Sequence, residues 1–112
     1  MKNISETESR ALGYLDGFRR GDALTDGNTT LLEYAKIKAG YDEGDCQVMD
    51  LCPNPLSGEW AGESISEIFN LNIGEDYPDD EVLIEYEQGF QEGFWDKAIK
   101  NCNYHLQSEE AQ

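Results

Sequence analysis

The chain is predicted to be all-α, and three observations carry that prediction. Three Ser/Thr-x-x-Glu capping boxes each open onto apolar residues at helical spacing. No segment sustains the two-residue alternation of a strand. Glycines also recur four apart inside stretches that otherwise read as helix.

Ser5-Glu6-Thr7-Glu8 is the first capping box, followed by Ala11, Leu12, Leu15 and Phe18. A helix is expected from about residue 6 to 20, closing at Gly21. "DALTDGN" (22–28) is rich in turn formers and reads as a loop. Thr30 and Glu33 form the second box, opening a helix through Tyr34, Ile37 and Tyr41 that ends near Gly44 or a little beyond. "LCPNPLSGEWAGE" (51–63) contains two prolines, so an irregular loop is expected around residues 50–63, with Trp60 plugging the core. Ser64 and Glu67 cap a short helix, "ISEIFNL". The longest helix starts near Pro78 and runs to about residue 104, leaving a frayed tail at 107–112. At 112 residues this makes one domain, 1–112: a small bundle of three main helices and one short one.

Glycine inside a helix costs about 0.5–1 kcal/mol relative to alanine, so recurrent glycines need a reason. "GFRRG" (17–21), "GYDEG" (40–44) and "GFQEG" (89–93) share the pattern Gly-aromatic-x-x-Gly. Each follows an apolar residue three positions earlier: Tyr14, Ile37 and Tyr86. Small residues four apart share one helix face and let a neighbouring backbone approach, while the adjacent aromatic covers the seam. The pattern is therefore expected to serve packing.

The formal net charge is −16, and it is placed unevenly. Between Lys38 and Lys97 there is no Lys or Arg, yet that interval of 58 residues holds 16 acids. Outside it eight acids balance eight bases. Such a chain is not expected to bind nucleic acid or an anionic membrane directly; a basic partner is. The start, "MKNISETESR", lacks a signal-type apolar stretch, and three cysteines fit a disulfide framework poorly, so a reducing cytoplasm is the expected setting.

At 100° per residue, Leu83, Tyr86, Phe90 and Phe94 share one face of the last helix. Glu81, Glu85, Glu92 and Asp96 fall on the opposite face, with Glu75, Asp76, Asp79 and Asp80 at its end. Four residues of helix rise about 6 Å, comparable to the spacing of phosphates along a nucleic-acid strand. A rigid carboxylate row, displayed outward, could imitate that backbone. The bland alternative is an ordinary solvated face.

Cys46, Cys52 and Cys102 are the only cysteines and His105 the only histidine. Cys102-x-x-His105 lies one helical turn apart, and three thiolates with an imidazole suit tetrahedral zinc, although Cys46-x5-Cys52 is wider than usual. "DEGDCQVMD" and "GEDYPDDE" are rich in carboxylates but depart from the EF-hand order. With one histidine, no nucleophile–base set and no phosphate-cradling glycine loop, an enzyme is not expected.

"NPLSGEWAGESISEIF" (54–69) with "YEQGFQEGFW" (86–95) resembles a loose group of small acidic proteins encoded by bacteriophages. That group has no assigned chemistry, so the resemblance transfers no site residue. It implies the class of small acidic proteins that block host nucleic-acid-binding or defence factors. The leading expectation is a non-catalytic DNA mimic that inhibits a basic, nucleic-acid-binding protein; the alternative is a small zinc-stabilised structural or assembly protein.

Overall fold

A computed structural model of the chain describes residues 4–56, 61–72 and 76–110. These residues form five helices: α1 (Glu6–Leu24), α2 (Leu31–Glu43), α3 (Cys46–Met49), α4 (Ala61–Ile68) and α5 (Asp80–Glu110). No strand occurs among the described residues, and the all-α expectation holds.

Local chemistry accounts for several of the helix ends. The Ser5 side chain accepts from the Glu8 amide and starts α1. Both halves of the Thr30/Glu33 capping box are formed at the start of α2. Gly44 ends α2 at φ 73°, a left-handed conformation that glycine adopts without strain. Asp45 then accepts from the Gln47 amide and opens α3, a short helix that the sequence reading does not separate from α2.

Three boundaries differ from expectation. α1 does not stop at Gly21 but runs to Leu24, because Gly21 packs against a neighbour rather than breaking the helix. It ends where the Thr25 hydroxyl donates to the Gly21 carbonyl at 2.9 Å. α4 begins at Ala61, which puts Ser64 inside the helix instead of at its cap. α5 continues to Glu110, past residue 104 and through most of the segment expected to fray. Trp60 lies outside the described residues.

α1 and α5 are parallel and in intimate contact. Added Cβ atoms on Gly13, Gly17 and Gly21 would come inside 3.0 Å of the backbones of Tyr86, Phe90 and Phe94 in turn. Gly89 and Gly93 meet the backbones of Arg10 and Tyr14 the same way. Residue numbers rise together across the seam, which fixes the parallel sense. Ser9 extends the seam, its hydroxyl donating to the Val82 carbonyl at 2.6 Å in a fully buried position. Two of the three glycine motifs thus serve packing as expected. The third does not join the seam, since Gly40 faces the Val48 side chain and Gly44 is a cap.

Two apolar clusters lie along α5. Ile65 of α4 and Phe69 just beyond its end pack with Val82, Tyr86 and Phe90 at the N-terminal half of α5. Phe94, Trp95 and Ala98 pack with Ile37 and Tyr41 of α2 further along. Tyr34 stacks on His105 and Tyr41 lies against Trp95, so α2 runs antiparallel to α5. The molecule is elongated, 56 × 23 × 22 Å, with a radius of gyration of 16.2 Å. A compact chain of this length would have about 13 Å.

Candidate acidic interaction surface

The parallel pairing brings the N-termini of α1 and α5 to the same end of the molecule. Glu6 and Glu8 lie in the first turn of α1, Asp80 and Glu81 in the first turn of α5. Each helix N-terminus carries roughly half a positive charge, which offsets carboxylates placed there. The fold can therefore crowd acids at this pole. Crowding still shows at Glu6, where a hydrogen bond with Glu81 and then its charge push the pKa up.

Asp76, Asp79, Asp80 and Glu81 are all exposed and make no ion pair among the described residues. Glu75 lies outside the described residues. Glu67 on α4 adds another exposed acid through the packing of Ile65 and Phe69 on the same half of α5. Arg10 is the base that α1 contributes here. The other described bases, Arg19, Arg20, Lys36, Lys38, Lys97 and Lys100, lie toward the opposite half, where Gly21 meets Phe94 and α2 covers α5. The described bases other than Arg10 thus gather in one half, alongside acids such as Asp22, Glu33 and Asp42.

The row Glu81, Glu85, Glu92 and Asp96 is not displayed as a free stripe, and this corrects the expectation. The Arg10 guanidinium donates to Glu85 at 3.0 Å, to Gln88 at 3.1 Å and to Glu92. The Tyr14 hydroxyl donates to Asp96 at 2.9 Å. One further carboxylate is covered from across the seam, Asp16 of α1, which accepts from the Tyr86 hydroxyl at 2.5 Å.

The reason lies in the helical wheel. At 100° per residue, Gly89 and Gly93 fall between the carboxylate face and the apolar face of α5. The helix that settles on those glycines is brought beside the acids. Arg10 and Tyr14 were not anticipated, although the signal was present. Ser9, Gly13, Gly17 and Gly21, spaced four apart, mark the face of α1 that meets α5, and Arg10 and Tyr14 flank it.

At the other half, Asp22 pairs with Lys97 at 3.8 Å and accepts from Asn101 at 2.9 Å. Lys38 pairs with Asp42 at 3.3 Å, and Lys97 also lies over the Phe18 ring, 5.0 Å from its centre.

The cysteines and the histidine are dispersed in character. Cys46 is exposed, Cys52 is half-buried with its thiol directed at the Pro53 carbonyl, and Cys102 is buried. Burial pushes the thiols of Cys52 and Cys102 up to about 11, away from the thiolate form that binds zinc. The His105 ring stacks on Tyr34 with centroids 4.6 Å apart. Among the described residues, no three His, Cys, Asp or Glu side chains gather to hold a metal ion. Cys46, Cys52, Cys102 and His105 form no such group in this arrangement.

Among the described residues, no helix is long and apolar enough to cross a membrane. No known family, curated protein or solved structure matches the chain.

Proposed function

We propose that this protein is a non-catalytic acidic binding protein that occupies the basic surface of a nucleic-acid-binding or defence protein in the cytoplasm. The observation that carries the reading is charge per length. A net charge of −16 over a 56 Å axis is one charge per 3.5 Å. A single DNA strand carries one per about 3.4 Å, and a duplex one per about 1.7 Å. The rod thus offers a basic groove about half the charge density of duplex DNA, on a scaffold held by a backbone-tight helix pair.

The contact surface in this reading is the acidic pole, with Asp76, Asp79, Asp80 and Glu81 outermost and the α5 row behind. Ion pairs among the described residues engage Glu85, Glu92, Asp42 and Asp22, so most carboxylates are not neutralised internally.

The test is capture and competition. Immobilised protein is loaded with host extract at low salt, then washed with duplex DNA or with rising salt. The reading expects bound proteins to be released by both, because the contact is electrostatic and shared with DNA. It also expects Asp76→Asn/Asp79→Asn/Asp80→Asn to lose capture, while Asp42→Asn/Glu43→Gln/Asp50→Asn keeps it. Retention that ignores both salt and DNA counts against the proposal.

A further inference from the structure

The proposed acidic role leaves one arrangement unexplained: α1 covers part of the row that a basic partner would want. Arg10 spans two turns of α5, donating to acceptors at positions 85, 88 and 92. Tyr14, one turn further along α1, takes Asp96. These contacts are at the surface. The Arg10 side chain is 40% exposed and that of Glu92 51%. Beside them runs an open groove of about 380 Å³, lined by Glu6, Thr7, Arg10, Tyr14, Glu85 and Glu92 among others.

A planar guanidinium with five donors matches carboxylate and amide oxygens better than an ammonium does. The chain therefore supplies its own copy of the group that a basic partner would bring. Exposed ion pairs hold weakly and are screened by salt, so this one can be exchanged. Arg19, on the same helix, is exposed and makes no ion pair among the described residues, so arginine on α1 is not drawn to carboxylates indiscriminately.

Building on the proposed function, we infer that Arg10 and Tyr14 form a built-in competitor. They occupy the Glu85–Gln88–Glu92 and Asp96 acceptors in the free protein and yield them to an arginine side chain of the partner. The covered row is a guanidinium-binding site filled in cis.

The probe is a peptide of eight arginines, titrated at low salt into wild type, Arg10→Gln and Arg19→Gln. Both substitutions change the net charge by the same amount, and circular dichroism checks the fold of each. Removal of the competitor makes Arg10→Gln bind roughly two- to fivefold more tightly than Arg19→Gln. Tyr14→Phe, which changes no charge, binds more tightly than wild type by a smaller factor. In wild type, the Arg10 side-chain Nε–H resonance moves toward that of a free guanidinium as peptide is added.

Equal affinities for the folded Arg10→Gln and Arg19→Gln variants overturn the competitor but leave the acidic-binding role standing. Should Arg10→Gln fail to fold, Tyr14→Phe binding no better than wild type, with an unmoved Arg10 resonance, overturns it instead. Absence of salt-sensitive binding by wild type and Arg19→Gln alike overturns the functional reading and this inference with it.

Discussion

Gly17 and Phe90 meet backbone to backbone: a Cβ on Gly17 would fall inside 3.0 Å of the carbonyl oxygen, carbonyl carbon and Cα of Phe90. A methyl group there has no side-chain tip to push aside. The helices must separate, and the contacts on both sides of the seam loosen with them. Gly17→Ala is expected to destabilise the protein by about 3 kcal/mol, despite alanine's better helix propensity. Gly27→Ala, in open loop space, is the control and should change stability little. Urea unfolding followed by circular dichroism measures both. A Gly17→Ala variant as stable as wild type would mean that the helices do not approach this closely.

That seam also shows what could be read from the sequence. The motifs at 17–21 and 89–93 announced a close helix contact because two glycines on one face have few other uses in a helix interior. The motif at 40–44 has the same letters but a different role, since glycine serves equally as a left-handed cap. Spacing alone cannot separate those two uses. Capping boxes at Ser5 and Thr30 were legible because they are local hydrogen-bonding units. The fate of the acidic row was not. It depends on Arg10, some 75 residues away from Glu85, and long-range pairing follows from packing that a helical wheel of one element does not contain. The wheel did place the glycines next to the acids, which is the clue that another helix would come to lie there.

Tyr34 tests the other end of the α1–α2 connection. It is 2% exposed, and its hydroxyl donates to the Thr25 and Asp26 carbonyls, both at 2.9 Å. Thr25 is buried as well and accepts from Asn101 of α5. Tyr34→Phe keeps the stack on His105 but leaves carbonyls of the loop without that donor. A loss of about 1–2 kcal/mol is expected, since an unmet buried acceptor keeps its desolvation cost. Faster amide exchange at residues 25–30 should accompany it. An unchanged melting temperature would show that water replaces the hydroxyl freely.

The three thiols should react in a fixed order. Cys46 is exposed, Cys52 is half-buried and Cys102 is buried, with the last two pushed up to about 11 by desolvation. At pH 8 both are almost wholly protonated, and the thiolate is the nucleophile. Iodoacetamide followed by peptide mass analysis should label Cys46 first and Cys52 more slowly. Cys102 should be labelled only on unfolding. Adding zinc should leave this order as it is; protection of Cys46, Cys52 and Cys102 together would instead show that the metal gathers them.

Glu6 and Glu81 give a pH dependence whose sign can be worked out. The Glu6 pKa is raised, first by its hydrogen bond with Glu81 and then by the charges of Glu81 and Glu85. A raised carboxyl pKa means that the folded state holds its proton more firmly than the unfolded chain does. The stabilising contribution is therefore fully present below the unfolded value, near 4.5, and is lost as pH rises through the higher folded value. Wild type should gain melting temperature on going from pH 7 toward 5 in low salt, and Glu6→Gln should gain less. At pH 7 the variant should be the more stable of the two, because the repulsion with Glu81 is gone. Raising the salt should narrow that difference, since both side chains face solvent. Parallel melting curves for the two proteins across this range would mean that the α1 and α5 N-termini do not press their carboxylates together, and the crowded acidic pole would have to be redrawn.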